Sequence, residues 1–195
     1  MFNYYIIYTA KDDIFCCIEE NPEGLKEKGW RICEGKRMGH RYPSDVQFHM
    51  GRSYPGIVVP DLIRNLCGYC LVSSKLKEII ESEVEAEIEF LPFALYNHKG
   101  RIAGQDCYIA NVLDTIDCVD LSRSQGSEFK IVPGTFRQIR KLYLNYDRIP
   151  VNAKLFRVPQ MMRVLIIRDD LKAVLEQSNI TGAQYIGMGE DCRVS

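Results

Sequence analysis

Leu71-Val72-Ser73-Ser74-Lys75-Leu76-Lys77-Glu78-Ile79-Ile80-Glu81-Ser82-Glu83-Val84-Glu85-Ala86-Glu87-Ile88-Glu89-Phe90 changes its period half-way. Tyr69 to Val72 reads as a strand, and Ser73 or Ser74 offers an N-cap hydroxyl. Leu76, Ile79 and Ile80 then recur at i, i+3 and i+4, the apolar face of a helix ending near Ser82. From Glu83 to Phe90 the alternation has period two, which predicts a half-buried strand. It places Val84, Ala86, Ile88 and Phe90 inward, and Glu83, Glu85, Glu87 and Glu89 outward. The stretch is thus a strand–helix–strand unit. A second such unit follows at an offset of 95, from Ile166 to Gly187. Leu76, Lys77 and Glu81 match Leu171, Lys172 and Glu176. The echo fits a duplication as well as it fits two unrelated units. The expected fold class is α+β, with a mixed or antiparallel sheet, few short helices and two similar strand–helix–strand units.

The flanking sequence extends this pattern. Tyr4 to Ala10 reads as an opening strand, Gly29 to Cys33 as a short strand, and Leu62 to Leu66 as a short helical stretch. Between them, residues 34–56 carry four Gly and two Pro and read as a long solvated loop, or alternatively a binding loop. Leu91 to Tyr96 prolongs the glutamate strand past Pro92, which implies a sheet edge or a bulge. Asn97-His98-Lys99-Gly100 is a turn, with a returning strand over 106–113. Gln125-Gly126-Ser127 reads as a break, with strands near 129–132 and 140–146. Leu155 to Pro159 is extended and Arg163 to Ile167 a strand. Asp169 is an N-cap candidate for a helix carrying Leu171, Val174 and Leu175. Asn179 to Gly182 stops that helix before a last strand, Ala183 to Gly187. The expected organisation is an N-terminal portion, 1–55, that is an appendage or part of the same domain, followed by an α+β domain over 56–195.

The chain has 195 residues, 46% of them hydrophobic and 26% charged. That composition is globular rather than disordered or coiled-coil, and about 70% of the chain's surface can be buried, enough for a real core. No apolar run is long enough to span a bilayer, and Met1 to Tyr8 lacks the basic segment and cleavage site of a signal peptide. A cytoplasmic protein is expected. The formal net charge is −1, which argues against a generic nucleic-acid binder. Yet the charge is segregated. Residues 130–168 hold nine Lys or Arg against Asp147 alone, while 78–89 hold six Glu and no Arg.

Eight cysteines in a chain of this length, without an export signal, read as reduced thiols in apolar company. Cys67-Gly68-Tyr69-Cys70 has knuckle spacing but no second knuckle, so no metal site is expected. His40, His49 and His98 fall in no triad spacing. No phosphate loop, nucleophile elbow or zinc-protease motif occurs, and no catalytic residue or cofactor is assigned.

The charged segments are the candidate binding residues. Four carboxylates in line on one strand face repel each other. Glu83, Glu85, Glu87 and Glu89 read as a solvated edge guarded by charge, as partners of bases from 130–168, or as a docking face for a cationic protein. An exposed row of equals lacks the contrasting environments that acid–base catalysis needs. Arg137, Arg140 and Lys141 would form one basic patch on a helix but not on a strand, and are the secondary candidate. Two alternatives stay open at this stage: an enzyme that uses the 34–56 loop, and a nucleic-acid-binding accessory protein that uses 130–168.

A series of short motifs adds a resemblance. They are Val59-Pro60-Asp61; Leu71-Val72-Ser73-Ser74-Lys75-Leu76-Lys77-Glu78-Ile79-Ile80-Glu81; Phe90-Leu91-Pro92-Phe93; Cys107-Tyr108-Ile109-Ala110-Asn111-Val112; Ile116-Asp117-Cys118-Val119-Asp120-Leu121-Ser122-Arg123-Ser124; Leu155-Phe156-Arg157; Val164-Leu165-Ile166-Ile167-Arg168-Asp169-Asp170-Leu171-Lys172; and Ile180-Thr181-Gly182-Ala183. In order and spacing, residues 56–188 resemble the immunity protein eleven family of bacterial polymorphic toxin systems. The resemblance implies a cytoplasmic antidote that binds and neutralises a cognate toxin, with no catalysis and no cofactor. It brings no contact residues with it.

Overall fold

The structure, a computed structural model, describes residues 2–194. In chain order the strands and α-helices are β1 (Tyr4–Thr9), β2 (Cys17–Ile18), α1 (Trp30–Cys33), β3 (Gln47–His49), β4 (Leu62–Asn65), β5 (Leu71–Ser73), α2 (Ser74–Glu83), β6 (Ile88–Tyr96) and β7 (Ile102–Val112). There follow β8 (Gln125–Glu128), β9 (Phe136–Lys141), β10 (Leu155–Val158), β11 (Met161–Arg168), α3 (Asp169–Gln177) and β12 (Ala183–Gly187). Three sheets result, ordered β2-β4-β5-β7-β6-β3, β10-β11-β1-β12 and β8-β9. Both parallel and antiparallel pairs occur in the first, so the α+β expectation with mixed sheets holds.

The two strand–helix–strand units share one topology. β5 and β6 flank β7 and both run antiparallel to it. β11 and β12 flank β1 in the same way. The inserted middle strand comes after the first unit in sequence but from the N-terminal end in the second. The residues of the sequence echo do equivalent work. Leu76 and Leu171 are each 1% exposed. Lys77 lies over Phe90 and Tyr108, 5.2 Å from each ring, and Lys172 over Tyr5 and Tyr185 at 5.2 and 5.3 Å. Each lysine also pairs with the glutamate four residues on, Glu81 or Glu176. Phe90 and Tyr185 stand at the same offset of 95. A buried leucine and a cation held over two aromatic rings thus recur in both units.

Alternation along the strands sorts side chains into separate cores. Ile63, Leu71, Leu91, Phe93, Leu95 and Ile109 face a core that also takes Ile18, Phe48 and Met50. Around it the six-stranded sheet curls until Ile18 bridges Met50 and Gly51 N–H donates to Cys17 O at 2.7 Å. Leu62, Val72 and Ala110 point the other way, against α2, α3 and the inner face of the four-stranded sheet. A third cluster under the β8–β9 hairpin holds Phe136, Ile139, Phe156 and Ile166.

One carboxylate ties the units together. Asp61 accepts from Ser73 Oγ at 2.7 Å, Thr181 N–H at 2.9 Å and Thr181 Oγ1 at 2.8 Å, while its own N–H donates to Thr181 Oγ1 at 3.0 Å. Ser73 Oγ in turn caps α2 by accepting from Leu76 N–H. Gly182 follows at φ +77, and a Cβ there would lie 2.4 Å from Leu62 O, so only glycine fits. Arg157 makes a second tie. It is 2% exposed and donates to three backbone carbonyls, Val112 O at 2.7 Å, Ile32 O at 3.3 Å and Met162 O.

Several local expectations are corrected. Gly29 to Cys33 winds into α1 because Ile32 and Cys33 N–H both find Gly29 O. Leu62 to Asn65 is a strand, because β5 offers a partner there. The predicted glutamate strand starts only at Ile88. Its partner β7 ends opposite, at Val112, and α2 runs through Glu83. Residues 125–128 form β8 rather than a break, and β9 spans Phe136–Lys141 rather than 129–132 and 140–146. Arg168, not Asp169, is the N-cap of α3, and it makes no side-chain cap bond. Residues 34–56 are no solvated linker. Met38, Val46, Phe48 and Met50 are buried, and β3 pairs with β6. The alternation of Val46, Phe48 and Met50 is the strand signal there. Pro92 lies where β3 does not reach, since that pairing covers only Ala94 to Tyr96, next to the β6 register shift.

Replacing Asp61 by Ala leaves three donors without their acceptor, and we expect a loss of about 3 kcal/mol in urea unfolding. The pH dependence follows from sign. Burial pushes the Asp61 carboxyl up, but the Thr181 and Ser73 hydrogen bonds outweigh it and hold it below the usual range. The Arg168 guanidinium bonded to Asp170 holds that carboxyl down at about 2. Both contributions are full above the unfolded carboxyl pKa of about 3.9 and vanish as pH falls through the folded values. The melting midpoint should therefore drop between roughly pH 4 and 2, and less steeply in Asp61→Asn.

Candidate interaction surface

The four glutamates lie where α2 gives way to β6, and each is held by a different neighbour. Glu83 ends α2 and pairs with Lys154 at 3.1 Å, which also reaches Asp170 at 3.6 Å. Glu85 accepts from Asn152 Nδ2 at 3.2 Å. Glu87 pairs with Arg37 while its side chain stays 63% exposed. Glu89 turns inward. It accepts from Met38 N–H at 2.8 Å, Gly39 N–H at 2.7 Å and Asn111 Nδ2 at 3.1 Å. Burial pushes the Glu89 carboxyl up, but these bonds prevail and it lies below its usual range. The structure therefore holds no straight row of carboxylates. Two of the four reach the 152–154 segment and two clasp the 36–39 turn.

The basic segment is divided in the same manner. Lys154 and Arg168 are ion-paired with carboxylates, and Arg157 is buried on carbonyls. Arg137, Arg140 and Lys141 lie on β9, so the helical patch does not form. Lys141 pairs with Asp191 at 3.7 Å. Arg137 and Arg140 are exposed, with no carboxylate within 4.0 Å among the described residues. Arg140 lines an open cleft of about 570 Å³ with Gln138, Asp191, Cys192 and Arg193. A second cleft of about 450 Å³ lies between residues 20–26 and 43–49 and is lined by Glu20, Glu23, Asp45, Lys26 and His49.

The thiols and imidazoles are used structurally. Cys67 belongs to the core inside the curled sheet, whereas Cys70 packs on the opposite core. Their sulfurs do not share a site, and burial pushes each thiol up to about 11. No cluster of three or more His, Cys, Asp or Glu able to hold a metal occurs among the described residues. His98 Nε2 lies 3.0 Å from both Gly51 O and Tyr54 O, and His49 stacks on Tyr96.

The motif residues identified above converge on the scaffold. Val59-Pro60-Asp61 and Ile180-Thr181-Gly182 meet in the carboxylate lock, Ser73 caps α2 against it, and Leu155-Phe156-Arg157 supplies the buried guanidinium. Residues 10–190 match the Immunity protein family (Imm11). The chain belongs to this family. The match takes in β2 and β3, so the Imm11 pattern begins well before residue 56. No curated protein matches the chain at a significant level. No helix among the described residues is long and apolar enough to cross a membrane.

The side-chain surroundings predict thiol behaviour that can be measured. All eight cysteines are free and raised by burial. Thiolate is the reactive form, so Ellman's reagent at pH 8 should react slowly with the native protein and with all eight thiols once guanidinium unfolds it.

Proposed function

We propose that this chain is an antidote that binds a cognate bacterial toxin and blocks it without catalysis. The observation that carries the reading is its membership of the Imm11 immunity protein family over residues 10–190. The chemistry of the side chains supports it. His98 contacts backbone carbonyls and His49 a ring, rather than a serine or cysteine, and the thiols are held protonated by burial. A cytoplasmic location and a role in competition between bacteria belong to the same reading.

One placement of the partner puts a cationic toxin face against the glutamate cluster. Glu87, exposed despite its ion pair, and Glu85, whose hydrogen-bond partner is neutral, favour it. Exposed charges of this kind act mainly on association rate.

The test is co-expression with the C-terminal domain of any large secreted protein found encoded beside this chain. Growth arrest should be relieved, and the two proteins should co-elute as a complex that buries about 800 Å² per partner. Continued arrest with no complex, or turnover of the toxin's substrate by this chain alone, would overturn the reading. Changing Glu83, Glu85, Glu87 and Glu89 to Gln tests the glutamate placement. It predicts a slower on-rate with a flatter salt dependence.

A further inference from the structure

The β8–β9 hairpin pairs with neither large sheet and is held to the body along the inner face of β9, with the 129–135 loop as its tip. There Phe136 is 4% exposed and its N–H donates to Gln160 O at 2.8 Å. Ile139 is fully buried and exchanges backbone hydrogen bonds with Val194 at 2.8 and 3.2 Å. The tip is closed by Phe129 N–H donating to Thr135 O at 3.0 Å. Within it Val132-Pro133-Gly134-Thr135 makes a turn, with Gly134 at φ +76 and Thr135 N–H on Val132 O. Proline followed by a glycine at positive φ is the sequence of a type II turn. The tip is thus set in shape before any partner arrives.

That preformed tip carries apolar side chains into solvent. Ile131 is 91% exposed, Val132 54% and Phe129 49%, with Leu121 (48%) beside Gly134. Contiguous exposed apolar groups rimmed by polar ones mark interaction sites. The rim here is cationic. Between Gln125 and Lys141 the bases Lys130, Arg137, Arg140 and Lys141 stand against Glu128 alone. Lys130, Arg137 and Arg140 form no ion pair among the described residues. Lys154, Arg157 and Arg168 by contrast are ion-paired or buried, so the hairpin holds uncompensated positive charge beside its apolar tip.

We infer that the β8–β9 hairpin is the element that docks into the toxin, its apolar tip entering a pocket whose rim is acidic. The inference rests on the antidote reading above. Charge complementarity selects the partner, because two unpaired cations at the apolar tip, Lys130 and Arg137, with Arg140 further down β9, match a carboxylate-rimmed hollow on a protein. Nucleic acid fits less well. The tip presents aliphatic side chains and one ring, whereas single strands are held on stacked aromatics.

The experiment uses full-length chain and, catalytically inactivated, the toxin domain that the co-expression test identifies, in a binding-kinetics measurement at 50 and 300 mM salt. Variants are Ile131→Asp with Val132→Asp, Lys130→Glu with Arg137→Glu and Arg140→Glu, and the glutamate-to-glutamine set of the previous section. All hairpin substitutions are at exposed positions, and unchanged melting midpoints confirm folding. The tip variant should weaken binding at least about 30-fold, mainly through faster dissociation. The charge-reversed variant should slow association at least about tenfold at low salt. Wild-type binding with hairpin variants within about twofold of it would overturn the hairpin assignment and leave the antidote reading intact. Absence of wild-type binding would overturn both. A dimer in light scattering that Ile131→Asp dissociates would assign the tip to a second copy instead. Retention of RNA or DNA at low salt, lost in the charge-reversed variant while toxin affinity holds, would assign it to nucleic acid.

Discussion

Asp61 stands at the point where the two halves of the molecule meet. Its carboxylate is shared by the serine that caps α2, 12 residues on, and by Thr181 just before β12, 120 residues on. Hydrogen bonds to an ionised acceptor are about twice as strong as neutral ones, and their geometry fixes where one strand–helix–strand unit sits on the other. Gly182 lets the backbone approach that a Cβ would forbid. Arg157, buried without a counter-charge, adds a second fixed point by drawing carbonyls from α1, β7 and β11 to one guanidinium. Burial makes such a group costly, and its three acceptors offset that cost only while all three segments stay in place.

The near-zero net charge is the sum of two different arrangements. Glu83 and Lys154 close one part of it inside the fold, together with Asp170 and Arg168, and the positive charge of 130–168 is partly used there. Of that segment's cations unpaired among the described residues, Lys130, Arg137 and Arg140 sit on the hairpin, and Arg148 and Arg163 lie outside it. A scaffold of two locked units bearing one projecting, charged, apolar-tipped element suits a protein whose work is to hold another protein.

Legibility in the sequence followed the range of the forces involved. The helices α2 and α3, the turn at Asn97 to Gly100, the stop at Asn179 and the strands β1, β7, β10, β11 and β12 were readable because their signals are local: periodicity, caps and punctuation. The echo between Leu76-Lys77 and Leu171-Lys172 was readable as well, though its meaning was not. The shared cradle of two rings depends on strands brought in from opposite ends of the chain. Alternation alone placed Glu83 to Phe90 in a strand. Pairing decided otherwise, because β7 supplies no partner beyond Val112. The 34–56 segment was read from its glycines, while Val46, Phe48 and Met50 carried the better signal within it.

By itself, the sequence determined the α+β class, the two repeated units, the reduced thiols and the family pattern, all of which rest on side-chain type and spacing along one chain. The tertiary structure alone decided which charges are spent and which are free. Coulomb and hydrogen-bond partners of Glu83, Glu89, Lys154 and Arg157 lie as far as 125 residues away, at distances set by packing rather than by sequence. The hairpin cations became readable for the same reason: the fold gave Lys154, Arg157 and Arg168 partners and left Lys130, Arg137 and Arg140 without a carboxylate among the described residues.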